Sequence, residues 1–175
     1  MRSTRRAAWL PLLLALAALP VRAADRVAVF DAELLDSSGE GPKPEQQQRL
    51  AMIAAQLREA LAASGRYEVV EVEPQRARLA EGPALRNCAG CAAEAAASLG
   101  ASLALVTTVQ KVSNLILNIT VVVLEAPSAR PRATWSVDIR GNTDESWRHG
   151  MRWLLRHRLL AAPEPGATSA SPDRR

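Results

Sequence analysis

Cys88 and Cys91 are the only two cysteines of the 175-residue chain, and they stand in the run NCAGC, residues 87–91. A C-x-x-C pair supports three chemistries: thiol–disulfide exchange, metal ligation, or a closed structural ring. Cys91 lies at or near the start of an Ala-rich helical stretch, where the helix dipole lowers a thiol pKa and favours exchange. Against exchange, no aromatic residue precedes the motif and no clean strand leads into it. A metal site needs more ligands than two sulfurs. The only histidines, His149 and His157, stand eight apart on one predicted helix, roughly two turns from each other, and cannot chelate one ion together. Haem attachment requires His after the second cysteine, and the residue there is Ala92. A structural Cys88–Cys91 disulfide is the favoured reading, and a redox pair is the alternative.

Three carboxylates, Asp31, Glu33 and Asp36, cluster at the carboxyl end of the first predicted strand. Open α/β sheets place ligands there. Alternation along the strand puts Asp31 and Glu33 on one side. Paired carboxylates can do acid–base work, but no nucleophile or base accompanies them. They are therefore assigned to a ligand or partner surface. Arg148, Arg152 and Arg156 recur every fourth residue on the last predicted helix. Such a stripe suits either solvent or an acidic protein partner. There is no Gly-rich phosphate loop and no Ser-His-Asp pattern. The six aromatic residues, one of them Trp9 in the leader, form no nucleic-acid platform. No catalytic residue, cofactor or metal site is assigned, and a non-enzymatic role is expected.

The first 23 residues read as a secretory leader. Arg2, Arg5 and Arg6 form a basic start, Trp9 to Leu19 an apolar stretch too short to span a bilayer, and Val21-Arg22-Ala23 a small-residue cleavage site. Cleavage after Ala23 places the chain in the periplasm. No later segment reaches membrane-spanning length without polar breaks, so no stable membrane insertion is expected. The full chain carries 22 Lys and Arg against 18 Asp and Glu, but four of the arginines leave with the leader. The remaining 18 of each sign give no net charge. The pI of 9.8 thus belongs mostly to the precursor and gives no support to nucleic-acid binding. Residues 24–100 carry 8 basic and 12 acidic groups, and residues 101–175 carry 10 and 6, a mild dipole able to orient a partner.

Residues 24–160 form one predicted domain, followed by a Pro- and Ser-containing tail over 161–175 with no apolar period, read as disordered. Residues 26–31 read as a buried strand. The turn-forming loop 36–44 follows, then a helix with Leu50, Ile53, Leu57 and Leu61 on one face and Gly65 at its C-cap. Residues 67–72 read as a second strand. Residues 74–87 form a mixed, Pro- and Gly-punctuated connection with room for one short helical turn. An Ala-rich helix over 90–99 ends at Gly100. Strands over 103–109, 115–125 and 134–140 come next. Leu115, Leu117, Ile119, Val121 and Val123 share one apolar face of the middle one. The last helix opens at Asn142 or Thr143 and buries Trp147, Met151, Leu154 and Leu155. The order β-α-β-α-β-β-β-α implies an α/β (α+β) fold, one mixed sheet of about five strands with three helices.

Three stretches carry a resemblance: VFDAELLDSS (29–38), QKVSNLILNI (110–119) and IRGNTDESW (139–147), with RNCAGC and LGASLALV between them. With these motifs, residues 27–160 resemble an uncharacterised bacterial family of exported proteins, a domain of unknown function. The element order is also similar to the amino-terminal domain of TolB and to curli-export and lipoprotein-cofactor domains of the envelope. These likenesses imply a periplasmic accessory domain that works by contacting an envelope protein. The first also implies company with periplasmic quinoprotein alcohol oxidation, to which the alternative reading, a thiol–disulfide protein using Cys88 and Cys91, would be auxiliary.

Overall fold

The computed structural model describes residues 24–41 and 43–161. The leader, its cleavage site after Ala23 and the tail beyond Ala161 lie outside the described residues. The chain runs β1 (Asp25–Val29), β2 (Glu33–Asp36), α1 (Pro44–Ala63), β3 (Tyr67–Val70) and α2 (Glu73–Ala80). It continues through a 3-10 turn (Leu85–Asn87), α3 (Ala89–Ser98), β4 (Leu103–Lys111), β5 (Ile116–Glu125), β6 (Pro131–Arg140) and α4 (Asp144–Leu154), closing on a π turn (Leu155–Leu159). The α/β reading holds, with six strands and four helices among the described residues.

The sheet order is β3-β1-β4-β5-β6, with β2 also paired to β4. β1 lies parallel to β3 and to β4, as crossovers through α1 and α3 require. β4, β5 and β6 form antiparallel hairpins. The strand not expected from sequence is β2. Val27–Val29 pair with Leu103–Leu105, and Glu33–Asp36 pair further along the same edge, with Thr108–Lys111. β1 and β2 are thus one strand path interrupted at residues 30–32, and β4 runs two residues past its expected end to meet the second half.

α2 departs from the expected irregular connection. Pro74 reads as a breaker, yet in a first helical turn its missing N–H is not needed. No residue of α2 is buried, so burial gives no apolar period to read. Other boundaries move too: β1 ends at Val29 instead of Asp31 and β3 at Val70 instead of Val72. β5 begins at Ile116, so Leu115 belongs to the turn and is 72% exposed instead of joining the apolar face. β6 begins at Pro131 instead of Thr134.

The two faces of the sheet are covered unequally. α1 buries Leu50, Ile53, Leu57 and Leu61, and α4 buries Trp147, Met151 and Leu154, in one cluster with Val27 and Val29 of β1, Leu103 and Leu105 of β4 and Leu117, Ile119, Val121 and Val123 of β5. On the other face α3 presents Ala92, Ala95 and Ala96 to Ala28, Phe30, Ala104, Val106 and Leu124. Alanines let this helix lie close, but it spans only one end of the sheet. Gly65 and Gly100 end α1 and α3 with φ of 66° and 72°, the left-handed conformation that glycine adopts at no steric cost.

Gly150 acts through space instead of torsion. A Cβ there would meet Ile139 Cγ2 at 2.5 Å and Ile119 Cδ1 at 3.2 Å, so its hydrogen sets how closely α4 lies on β5 and β6. Gly150→Ala is expected to destabilise by about 1–3 kcal/mol, the overpacking range. Gly90→Ala, facing open space, is expected to be neutral or stabilising by about 0.4–1 kcal/mol. Urea denaturation of the two variants checks both.

Candidate protein-interaction surface

The three stretches that carried the resemblance meet at one end of the domain. Lys111 closes β4 on its inward face, and its side chain is 0% exposed. The parallel register sets Asp36 opposite it. Lys111 Nζ lies 3.0 Å from Glu40 Oε2 and 3.4 Å from Asp36 Oδ2. Asp36 also accepts hydrogen bonds from the Ser38 amide at 2.8 Å and the Ser38 hydroxyl, and Ser37 donates its amide and hydroxyl to the Lys111 carbonyl. The loop after β2 is thereby fastened over the lysine.

Glu40 is the node of the arrangement. It accepts from Lys43 Nζ at 2.8 Å, Lys111 Nζ at 3.0 Å and Asn114 Nδ2 at 2.7 Å. Asn142 donates its amide and side chain to Asn114, at 2.9 and 3.1 Å. The Asn142 side-chain oxygen accepts from buried Trp147 Nε1 at 3.0 Å and from Arg49 Nη1 at 3.2 Å. Arg49 Nε reaches Asp144 at 2.8 Å in the first turn of α4, where Thr143 caps the helix through the Ser146 amide. One polar network therefore joins the β2–α1 loop, the β4–β5 turn and the β6–α4 turn.

The charges respond accordingly. Hydrogen bonds from Lys43, Lys111 and Asn114 bring the Glu40 carboxyl from 4.5 to about 2. The Ser38 hydroxyl and amide hold Asp36 below its ordinary value, with Lys111 adding to the effect. The Arg49 guanidinium lowers Asp144, and Glu40 raises Lys43.

Around this fixed base the apolar residues face outward. Val112, Leu115 and Ile116 at the β4–β5 turn are 50%, 72% and 48% exposed, and Leu35 of β2 is 41% exposed. The turn is rigid: Val112 and Ser113 donate to the Ile116 carbonyl, and the Ser113 hydroxyl accepts from Leu115 and Ile116. Leu34 packs inward, so alternation turns Leu35 to the opposite face. There it joins Gln110, Asn118 and Asp138 in a cross-strand row that α3 does not reach. Asn118 bonds Asp138 at 2.9 Å and accepts from Thr120 at 2.8 Å. The arrangement is a firm polar platform rimmed by four exposed aliphatic side chains.

The carboxylates expected to cluster are placed apart in function. Asp31 pairs with Arg58 at 2.7 Å and Arg76 at 3.1 Å. Glu33 accepts the Leu85 and Arg86 amides and the Arg86 guanidinium, anchoring the 3-10 turn. Both line a cavity of about 190 Å³ under α2, yet each carboxylate is already engaged. Asp36 alone joins the Lys111 network. Cys88 is the N-cap of α3, accepts the Cys91 amide at 3.2 Å, and its sulfur lies at disulfide distance from that of Cys91, with Cα atoms 5.2 Å apart. Arg148, Arg152 and Arg156 are exposed along α4 and the π turn. The residues that sequence reasoning missed are Lys111, Glu40, Asn114, Asn142 and Arg49. Extending β4 by one alternation would have found Lys111, since Leu103, Leu105, Thr107 and Val109 precede it on the same inward face.

Comparison with known proteins bears on this surface. The family model DUF3280, described as "Protein of unknown function (DUF2380)", matches residues 25–159. The chain belongs to this family. DUF3280 therefore spans both sheet faces and the whole Lys111 network. No curated protein matches the chain. Among solved structures it is similar to the LpoB C-terminal domain from Salmonella enterica, with a TM-score of 0.50 at 15% identity, covering 69% of this chain and 86% of that one. The LpoB C-terminal domain from Escherichia coli gives 0.49 at 16% identity, covering 71% and 88%. Both are LpoB domains, where the element order pointed to the TolB amino-terminal domain, and the likeness is one of fold.

The depressed carboxylates set a pH dependence. A folded-state pKa below the unfolded value contributes stability that is complete above the unfolded pKa and lost as pH falls through the folded one. For Glu40 that window runs from 4.5 down to about 2. The urea midpoint of the wild type is expected to fall between pH 5 and pH 3, and Glu40→Gln is expected to be less stable at pH 7 with a shallower fall. Paired urea titrations across that range check the sign.

Proposed function

We propose that this DUF3280 chain is a non-enzymatic protein-interaction domain of the bacterial envelope, docking a protein partner on the end formed by Leu35, Val112, Leu115 and Ile116. The observation that carries the reading is the pairing of these exposed aliphatic residues with a base fixed by buried charge. Exposed apolar side chains contribute to association when they meet an apolar partner, and a rigid presentation lowers the ordering cost of binding. A periplasmic location fits the basic, apolar, small-residue order of residues 1–23 and a cysteine pair at disulfide distance. The open polar row beside the tip suits the rim of a protein contact.

The competing reading, thiol–disulfide exchange, needs Cys88 and Cys91 to cycle. In this reading they close a ring of four residues, for which the chain-entropy relation gives about 2 kcal/mol, less than a long-range bridge. The Cys88→Ser, Cys91→Ser double variant is expected to fold, to lose about 2 kcal/mol or less, and to retain partner binding.

A photo-crosslinking residue at position 115 of the exported chain, activated in whole cells, tests the docking surface. The expected result is a discrete protein adduct that Ile116→Asp removes while stability stays within about 0.5 kcal/mol. An adduct at position 115 that survives Ile116→Asp, or none at all, would contradict the reading. Loss of the adduct in the double cysteine variant would favour the thiol–disulfide alternative.

A further inference from the structure

The arginines divide by place. Arg26, Arg49, Arg58, Arg76 and Arg86, from the first half of the chain, each hold a carboxylate. Arg148, Arg152 and Arg156 are exposed, and none forms an ion pair among the described residues. They recur at fourth positions, so successive guanidinium groups rise about 6 Å along the helix.

Beside this stripe runs a groove of about 630 Å³ between α1 and α4. Its floor is apolar: Ala60 and Ala63 from α1, Leu155 and Leu160 from the other wall. The π turn helps to make that wall. The Leu160 amide donates to the Leu155 carbonyl, and this i to i+5 winding sets the two leucines one above the other. Arg152 and Arg156 stand on one rim, Gln56 and Glu59 on the other, so a single carboxylate faces the arginines across the opening. Gln56 Nε2 donates to the Arg148 carbonyl at 3.3 Å and ties the two walls together.

We infer that this groove is a second docking site, and that its occupant is an acidic amphipathic helix of a partner protein. Small and aliphatic side chains on the floor leave room for a row of aliphatic side chains. Carboxylates at fourth positions on the entering helix meet guanidinium groups of the same spacing. A bilayer is the poorer fit. Its surface is broad, whereas Leu155 is only 5% exposed and lies recessed between two ridges. The site is independent of the hairpin end, since it shares none of its residues.

Fluorescence anisotropy on the purified full chain tests the assignment. The probe is a labelled peptide of about 18 residues, long enough to be helical, with leucines on one face and glutamates at fourth positions. A matched peptide carries lysine for glutamate, and phosphatidylglycerol vesicles serve as the membrane arm. Micromolar binding of the acidic peptide alone is expected. Combined Arg152→Glu and Arg156→Glu should weaken it at least about tenfold, and Ala60→Trp should weaken it by filling the floor, with circular dichroism unchanged in each. Arg140→Glu, away from the groove, should leave it unaltered. Equal binding of the lysine peptide, indifference to the charge reversal, binding to vesicles alone, or no binding of the acidic peptide would each overturn the inference.

Discussion

The Lys111 ammonium has no contact with water, and a buried cation is tolerated only with anions and hydrogen bonds around it. That requirement organises one end of the domain. It fixes the register of β2, because a slip of one residue against β4 would turn Asp36 to the opposite face and leave the lysine without that partner. It draws the β2–α1 loop inward so that Glu40 supplies the second carboxylate. Glu40 is then committed to Asn114, and Asn114 to Asn142, which reaches Trp147 and Arg49. Loops that an apolar core would leave free are ordered by a chain of partners that begins at one charge.

The network explains why aliphatic residues can stand exposed beside it. Val112, Leu115 and Ile116 do not collapse inward, because the position beneath the turn is taken by the buried lysine and its partners, and the turn is closed by Ser113. The uneven cover of the sheet adds to this. α1 and α4 fill one face along its length, while the short, Ala-rich α3 covers only the end of the other face where β4 begins and β5 ends. The residues left open there are mainly amides and hydroxyls, with Leu35 and Ile116 at the margin. The fold thus separates a packed half from a presenting half.

Much of the fold was legible in the residues. The apolar period of α1, the alternation along β5, the Thr143 cap and the Gly65 and Gly100 stops each express a local preference that the tertiary structure keeps. β2 was not legible: four residues with two acids look like the entry to a loop, and only the unpaired end of β4 makes them a strand. α2 was hidden by Pro74 and by its lack of a buried face. The candidate site was half legible. Its stretches stood out as words in the sequence, and Asp36 was singled out. The link between them was not, since Lys111 and Asn114 fall between the strands read over 103–109 and 115–125, Asn142 reads as a cap, and nothing in a linear order brings Glu40 to all three. Asp31 and Glu33 show the converse, carboxylates well placed for a ligand by strand order yet spent on holding α1, α2 and the 3-10 turn.

Native-state hydrogen–deuterium exchange on the wild type and Lys111→Met tests the organising role of the lysine most directly. If the charge holds the three loops as one unit, residues 36–43, 112–117 and 140–147 will lose protection together in the variant, while β1 and α3 keep theirs. Loss confined to the immediate neighbours of residue 111, with the 140–147 turn still protected, would contradict a shared dependence on that buried charge.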